Sequence, residues 1–485
     1  MKPDAYLGID IGGSGAKAAV FDGAGQLLGF RQIAKAPATT PDGFTEIPME
    51  EIYGAAREAA RSAIAESGAR IRALSVSSQG QAFVTLDAQD RHLHNMILWY
   101  DSRAVPQTER LQQALKAVDP AILPRVEVIA TAPKILWLRE HYPELMKNAR
   151  RYLLLPDYLC YRLTGTAVTD PSTAGSTALY SHGYGYLPEA LAAAEIAEDQ
   201  LARVQEPGTP AATVTREAAA EWGLEPDTLF VTGTNDQWAG ALGAGNNRPG
   251  IVSEASGTCL AAATLTEQLP DPIPPGMLHG RFSIPRYFGA LAYAKTAGAV
   301  LEWFRRELAP GWLLHELDDL AARVPVGSNG LTMIPHFEGA VSPTPNPVAR
   351  GAFAYLTLGH TREDMYRAIL EALTFSLREN LEFLGQYGMK LKRIRSIGGG
   401  AKSDLWLQMK ADVTGLPVDR PAFTEAAVMG AAMLAAAGAG AFPTVEESVG
   451  AFYHTERIFA PRADEQARYE APYQRYRKLY QALFS

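Results

Sequence analysis

Short apolar runs open the chain, separated by residues that favour turns. Residues 5–9 (Ala-Tyr-Leu-Gly-Ile), 16–21 (Ala-Lys-Ala-Ala-Val-Phe) and 26–31 have the length and make-up of strands, with turns expected at Asp10–Gly15 and Asp22–Gly25. The period then lengthens. A helix is expected over Met49–Ser67, a strand over Ile71–Ser77, and a helix start over Pro133–His141, where proline sits in the first turn and its missing N–H costs nothing. Residues 228–232 form a further strand running into Asp236, and a small-residue helix is expected over Gln237–Gly245.

The pattern then restarts. Residues 250–255 and 258–265 read as a second hairpin, and Gly298–Leu308 as a helix. Thr361 and Asp364 have capping-box spacing, and Ile369, Leu370, Leu373, Leu377, Leu381 and Leu384 keep helical spacing behind them. A strand at Ile394–Ile397 runs into Gly398-Gly399-Gly400-Ala401. The similar openings predict two related α/β domains, residues 1–247 and 248–485, with the boundary near Asn246–Gly250. A chain of 485 residues is too long for one ordinary core, which agrees with two.

Composition narrows the class. Hydrophobic residues at 47% against 20% charged describe a globular chain, and a net charge of −8 gives no basic field for nucleic acid or an anionic membrane. Cys160 and Cys259 have no metal-ligand spacing; a disulfide between them is open. Few cysteines, and no leader-like segment ahead of the first strand, give the expectation of a cytoplasmic protein. Ala426–Phe442 carries no charge, but its alanines and glycines fit a closely packed buried helix better than a membrane span.

The candidate chemistry lies in the turns. Gly8–Lys17 and Ser253–Cys259 each read as a hairpin whose turn exposes backbone N–H groups, with glycine letting an anion approach. Between them, Thr232-Gly233-Thr234-Asn235-Asp236-Gln237 places a carboxylate among small residues. Two cradles and one carboxylate point to ATP-dependent phosphoryl transfer. No Gly-x4-Gly-Lys-Ser/Thr pattern occurs, which excludes the P-loop route, and Gly240–Gly245 has the wrong order for a dinucleotide fingerprint. Asp236 is either the general base that takes the acceptor's proton or the N-cap of the helix behind it.

Several segments, taken in order, resemble the FGGY carbohydrate kinases over nearly the whole length. They are Gly8–Lys17, Ile97–Arg103, Thr131–Trp137, Leu154–Leu159, Gly233–Gln237, Ser256-Gly257-Thr258 and Gly398–Trp406. The spacing of Thr131–Trp137 and Ile397–Trp406 is most similar to the xylulokinase branch. The resemblance implies an α/β protein with two actin-like (ribonuclease-H-like) ATPase domains around a central cleft. They would close on ATP and a sugar or polyol, the first domain holding sugar and the second nucleotide.

The resemblance also assigns residues. Asp236 is implied as the general base. Asp10, Gly12, Gly13 and Ser14 are implied at the phosphates, with Asp10 acting on Mg²⁺ through water and Asp236 a second metal candidate. Lys17 either offsets charge there or is a solvated strand residue. Gly257 and Thr258 would grip phosphate by N–H and hydroxyl, Gly399, Gly400 and Ala401 would let the purine lie on the backbone, and Asp404 belongs to the same segment. Gly298 and Glu302 would flank the nucleotide, Glu302 standing where relatives often have glutamine and otherwise simply solvated. For the sugar the candidates are Gln79, Gly80, Gln81, Trp99, Asp101, Asp236 and Gln237. Gln81 suits hydroxyls, and Gly80 is expected to widen the pocket. Trp99 either packs on the substrate's carbon face or is core; Asp101 either binds hydroxyls or pairs with Arg103.

The chain departs from the family pattern at Gly13 (usually threonine), Gly80, Tyr355 (usually glycine) and a short Asp119–Ala130. The expected activity is transfer of phosphate from ATP, with Mg²⁺, to a terminal hydroxyl of a small ketose or polyol. D-Xylulose comes first, giving D-xylulose 5-phosphate. Ribulose, gluconate, glycerol or a catalytically silent sugar sensor remain open, as does a homodimer. No nucleic acid or membrane partner is expected.

Overall fold

The computed structural model describes residues 2–116 and 126–484. The residues fall into two compact units. The first comprises 1–243, 280–285 and 427–452; the second comprises 244–279, 286–426 and 453–485. The packing thus departs from a single cut near 246–250. The helix Ala426–Gly438 explains why: its residues from 427 onward belong to the first unit, where a Cβ on Gly8 would lie 2.0 Å from the Val428 carbonyl. Only glycine in the Asp4–Gly12 strand admits that approach. Val428, Met429 and Ala431 to Ala436 are buried, so the uncharged stretch is core. Among the described residues no helix is long and apolar enough to cross a membrane.

The first unit is built on a six-stranded sheet. Its order is Pro210–Thr213, Leu229–Asn235, Arg70–Ser78, Asp4–Gly12, Gly15–Phe21, Leu27–Ala34. The three middle strands, Leu229–Asn235, Arg70–Ser78 and Asp4–Gly12, run parallel, and the others pair antiparallel. The first hairpin is tighter than expected. Gly12 pairs with Gly15, so the turn is Gly13-Ser14 alone, and Gly15 takes a φ of 135°. The helix Met49–Ser67 lays Ile52, Tyr53, Ala56, Ala59, Ala60 and Ala63 on the sheet. The small side chains let helix and sheet approach closely, and Gly68 ends the helix in the left-handed conformation.

The second unit repeats the plan. Its seven strands run Leu278–Arg281, Phe288–Ala294, Leu260–Thr266, Ile251–Ser256, Arg393–Ile397, Val418–Pro421, Thr455–Phe459. From Phe288–Ala294 onward the pairings are antiparallel, antiparallel, parallel, parallel, antiparallel, matching the first sheet read from Leu27–Ala34. The faint similarity of the two halves is therefore a shared topology. The helix Arg362–Gln386 packs on this sheet, opened by the expected capping box: Thr361 N–H donates to Asp364 Oδ2 at 2.8 Å. Cys160 and Cys259 are both free thiols, so no disulfide joins them.

Candidate active site

In the first unit, strand register brings three segments together. Asp10, Ser77 and Thr234 lie in one row across the three parallel strands, at their C-terminal ends. Open α/β sheets present ligand-binding groups at such ends. Asp10 therefore precedes the Gly12–Ser14 turn on one side, Asp236 follows Asn235 on the other, and Gln79 follows Ser78 between them. The two outer strand ends are about 10 Å apart, two strand spacings.

Asp10 Oδ1 accepts from Ser77 Oγ at 3.0 Å, and Lys17 is its cross-strand partner in the hairpin. Asp236 is half-buried. Burial, and then the negative charge of Asp10, push its carboxyl up to about 7, against the pull of its hydrogen bonds with Gln237. Asn235 also offers a side-chain oxygen to the helix start: Gln237 N–H donates to Asn235 Oδ1 at 3.0 Å. Sequence reasoning missed what holds this loop. Asn235 N–H donates to Ser172 Oγ at 3.3 Å, Ser172 Oγ pairs with Thr234 Oγ1 at 3.0 Å, and both hydroxyls reach the buried Asp170. Only an Asp-Pro-Ser helix start at Asp170–Ser172 hinted at it.

The sugar candidates divide. Gln79 is buried, its main chain fixed by donation to the Ile11 carbonyl at 3.3 Å and acceptance from Ser78 Oγ at 3.0 Å. Gln81 takes a positive φ of 66°, and its carbonyl accepts from Thr131 Oγ1. Gln237 is exposed. Trp99 is 41% exposed, so it is not core; its ring meets Tyr100 edge-on. The buried Lys134 holds that loop by donating to the Leu98 and Trp99 carbonyls at 2.9 and 2.8 Å, and its burial pulls the amine down to about 7.

Two expectations are corrected. Asp101 does not offer its carboxylate to a hydroxyl. Its oxygens accept from Thr45 N–H, Arg103 N–H, Arg103 Nε and an Arg103 terminal nitrogen, all within 3.0 Å, and four donors use up its lone pairs. Arg103 is equally engaged, bonding Glu46 at 2.7 Å and lying over the Phe44 and Trp137 rings. Nor does Gly80 open a pocket. A Cβ there would stand 2.6 Å from Ser176 Oγ and 3.2 Å from Asn235 Nδ2, so protein already fills that space. Of the short Asp119–Ala130 segment, residues 119–125 lie outside those described.

In the second unit the glycine segments also converge. The Gly257–Cys259 turn is exposed, and Gly298 N–H donates to the Gly257 carbonyl at 2.7 Å. A Cβ on Gly298 would lie 2.5 Å from that carbonyl oxygen. Gly399 approaches the Ser256 carbonyl, so the glycine triplet adjoins the cradle. The surrounding groups make contacts within the protein. Gly257 N–H donates to the Cys259 carbonyl at 3.1 Å, so the anion-gripping groups left at this turn are those of Thr258. Gly400 accommodates Ser256 and Trp406, at 2.5 and 2.9 Å from its would-be Cβ. Beside it, Ala401 is buried and its carbonyl accepts from Arg420 Nε at 2.8 Å. Asp404 is bound by Arg420 and Arg457, which outweigh desolvation and hold its carboxyl low. Glu302 is solvated and pairs with Arg305 at 2.8 Å. Beneath the cradle lies a group that sequence reasoning missed: the buried Lys410 amine, 2.6 Å from Glu254 and 3.2 Å from Ser256 and Ser396. A lysine inside a helical run gives no sign of such a partner.

Two adjoining sequence patterns match this chain. The N-terminal domain of the FGGY family of carbohydrate kinases matches residues 5–243, and its C-terminal domain residues 255–439. The chain belongs to the FGGY family of carbohydrate kinases.

It is 30% identical to a xylulose kinase of Bacillus subtilis, over 98% of this chain and 96% of that one. It is 28% identical to an L-xylulose/3-keto-L-gulonate kinase of Escherichia coli, over 99% and 97%. Among solved structures, a xylulose kinase of Brucella ovis superposes with a TM-score of 0.89 at 27% identity, covering 99% of each chain. This FGGY kinase thus has the family's two-domain, actin-like ATPase fold and the family's activity, ATP-dependent phosphorylation of a sugar. A cavity of about 800 Å³ is lined by Tyr180, Tyr186, Arg203 and Glu206, with Pro171 of the Asp170–Ser172 helix start at its edge.

Proposed function

We propose that this FGGY kinase phosphorylates D-xylulose at its terminal hydroxyl, giving D-xylulose 5-phosphate, with Asp236 as general base. One observation carries the base assignment: Asp236 stands across the strand ends from Asp10 with its carboxyl pushed up to about 7, poised near neutral pH. The sugar assignment rests on the xylulose kinases to which the chain is similar along nearly its full length.

The chemistry follows from this chain's residues. Asp236 accepts a hydrogen bond from the acceptor hydroxyl and takes its proton as the new O–P bond forms. The bond from phosphorus to the bridging oxygen breaks, and its electron pair leaves with ADP. A carboxylate whose proton affinity is raised by a second one calls for a cation, and Mg²⁺ is bound by one or two carboxylates plus phosphate oxygens. Asp10 fits that role through water. Mg²⁺ there would neutralise phosphate charge. Among the described residues no set of three His, Cys, Asp or Glu side chains forms a metal site. Thr258 in the second unit would grip the nucleotide's phosphates.

The relative from E. coli favours a second ketose reading, L-xylulose or a keto-sugar acid. A coupled assay for ADP with D-xylulose, L-xylulose, ribulose, gluconate and glycerol separates these. The highest kcat/KM with D-xylulose is expected; preference for gluconate or glycerol would overturn the ketose assignment.

A further inference from the structure

We propose that the Gln79 carboxamide donates a hydrogen bond to the phosphoryl group as it is transferred, and so is a catalytic residue of this kinase. The inference rests on the kinase reading above. Three observations carry it. Gln79 ends the middle of three parallel strands, with the Asp10 end on one side and the Asp236 end on the other, each about one strand spacing away. A phosphorus atom between a hydroxyl at Asp236 and phosphates at Asp10 lies in front of that middle strand. Next, Gln79 is 5% exposed and its Nε2 has no hydrogen-bond partner, although its main-chain groups are engaged. With no bond holding that nitrogen, no partner fixes which way the carboxamide faces.

Finally, the other end of the amide faces the phosphate turn. Gln79 Oε1 lies 3.5 Å from where a Cβ on Gly13 would stand. Half a turn about the last side-chain bond exchanges the two ends and presents NH₂ at that turn. Gly13 has no hydroxyl, so the carboxamide supplies the donor there. Its neutrality matters: between two carboxylates it adds hydrogen bonding to the phosphoryl oxygens without adding negative charge. In the transfer, the acceptor's O–P bond forms, the bridging P–O bond breaks toward ADP, and the proton passes to Asp236. Gln79 keeps its own protons throughout.

The test uses full-length Gln79→Ala and the isosteric Gln79→Glu, assayed beside the wild type with ATP and the acceptor the wild type prefers. Loss of a phosphoryl contact lowers kcat by about 100-fold while the sugar KM stays within threefold. Slow ATP hydrolysis without sugar, where water is the acceptor, falls by the same factor. Gly13→Ser added to Gln79→Ala restores part of the loss by returning a hydroxyl to the turn. A raised sugar KM with kcat and sugar-free hydrolysis unchanged would make Gln79 a sugar contact and overturn the proposal; so would wild-type rates in both variants. Absence of turnover in the wild type with every acceptor would instead remove the kinase reading itself.

Discussion

Replacing Asp236 by asparagine is expected to stop the reaction and to make the protein more stable. The carboxyl is pushed from the ordinary range up to about 7 by burial and by Asp10. A raised carboxyl favours the folded state in its protonated form, so the sign is definite. Stability is highest below about pH 4, falls as pH climbs from there to about 7, and carries the whole penalty above 7. The full rise from the ordinary value corresponds to an upper limit of about 4 kcal/mol. Asparagine carries no charge to desolvate but keeps the Gln237 bonds only in part, so about 1–3 kcal/mol is expected. At about 2 °C per kcal/mol for a domain of this size, Asp236→Asn should melt about 2–6 °C above the wild type at pH 8. At pH 5 the difference should shrink. In the wild type kcat/KM should fall about tenfold per pH unit below 7, because only the ionised base accepts a proton. Thermal melts from pH 5 to 8.5, beside a coupled ADP assay, test both halves. A variant no more stable than wild type at pH 8 would refute the electrostatic argument; turnover above a few per cent would refute the base.

Three further substitutions test the contacts around the site. Asp101→Asn should cost about 3 kcal/mol in urea denaturation, since Arg103 keeps only Glu46, yet leave the sugar KM within about twofold; a large KM change would return Asp101 to the sugar site. Lys410→Met should cost about 3–5 kcal/mol by leaving Glu254 buried without its cation, and adding Glu254→Gln should recover part of it; no loss would mean the pair is dispensable. Gly400→Ala should cost about 1–3 kcal/mol by overpacking Ser256 and Trp406 and should raise the ATP KM more than the sugar KM; a neutral result would mean the triplet shifts freely.

The elements were largely legible because their signals are local. Alternation, turn residues and the Thr361–Asp364 box each depend on neighbours a few residues away, and the helix Met49–Ser67 and both hairpins formed where those signals lay. The carboxylates were harder to read. Asp236 and Asp101 both follow a strand and precede a turn or helix, and only their partners separate them: one is raised toward neutrality by Asp10, the other is saturated by Arg103 and Thr45. Glycines were the least legible. Gly80 and Gly400 look like room for a ligand, whereas Ser176 and Ser256 come from distant parts of the chain to use that room. Tyr355, at a position where glycine is usual, does adopt a φ of 65°, so the departure is strain at an exposed residue (58%).

The sequence by itself determined the family, the repeated hairpin openings and the identity of the acids, because those reside in the order of residues along the chain. Register decided the rest. Asp10, Ser77 and Thr234 stand in one row only because parallel strands separated by long stretches of sequence pair in one alignment. That alignment sets the proton affinity of Asp236 and places Gln79 between two carboxylates, while packing within the second unit brings Lys410 against Glu254. Electrostatic coupling and steric fit act over ångströms of space, and distance along the chain does not encode them.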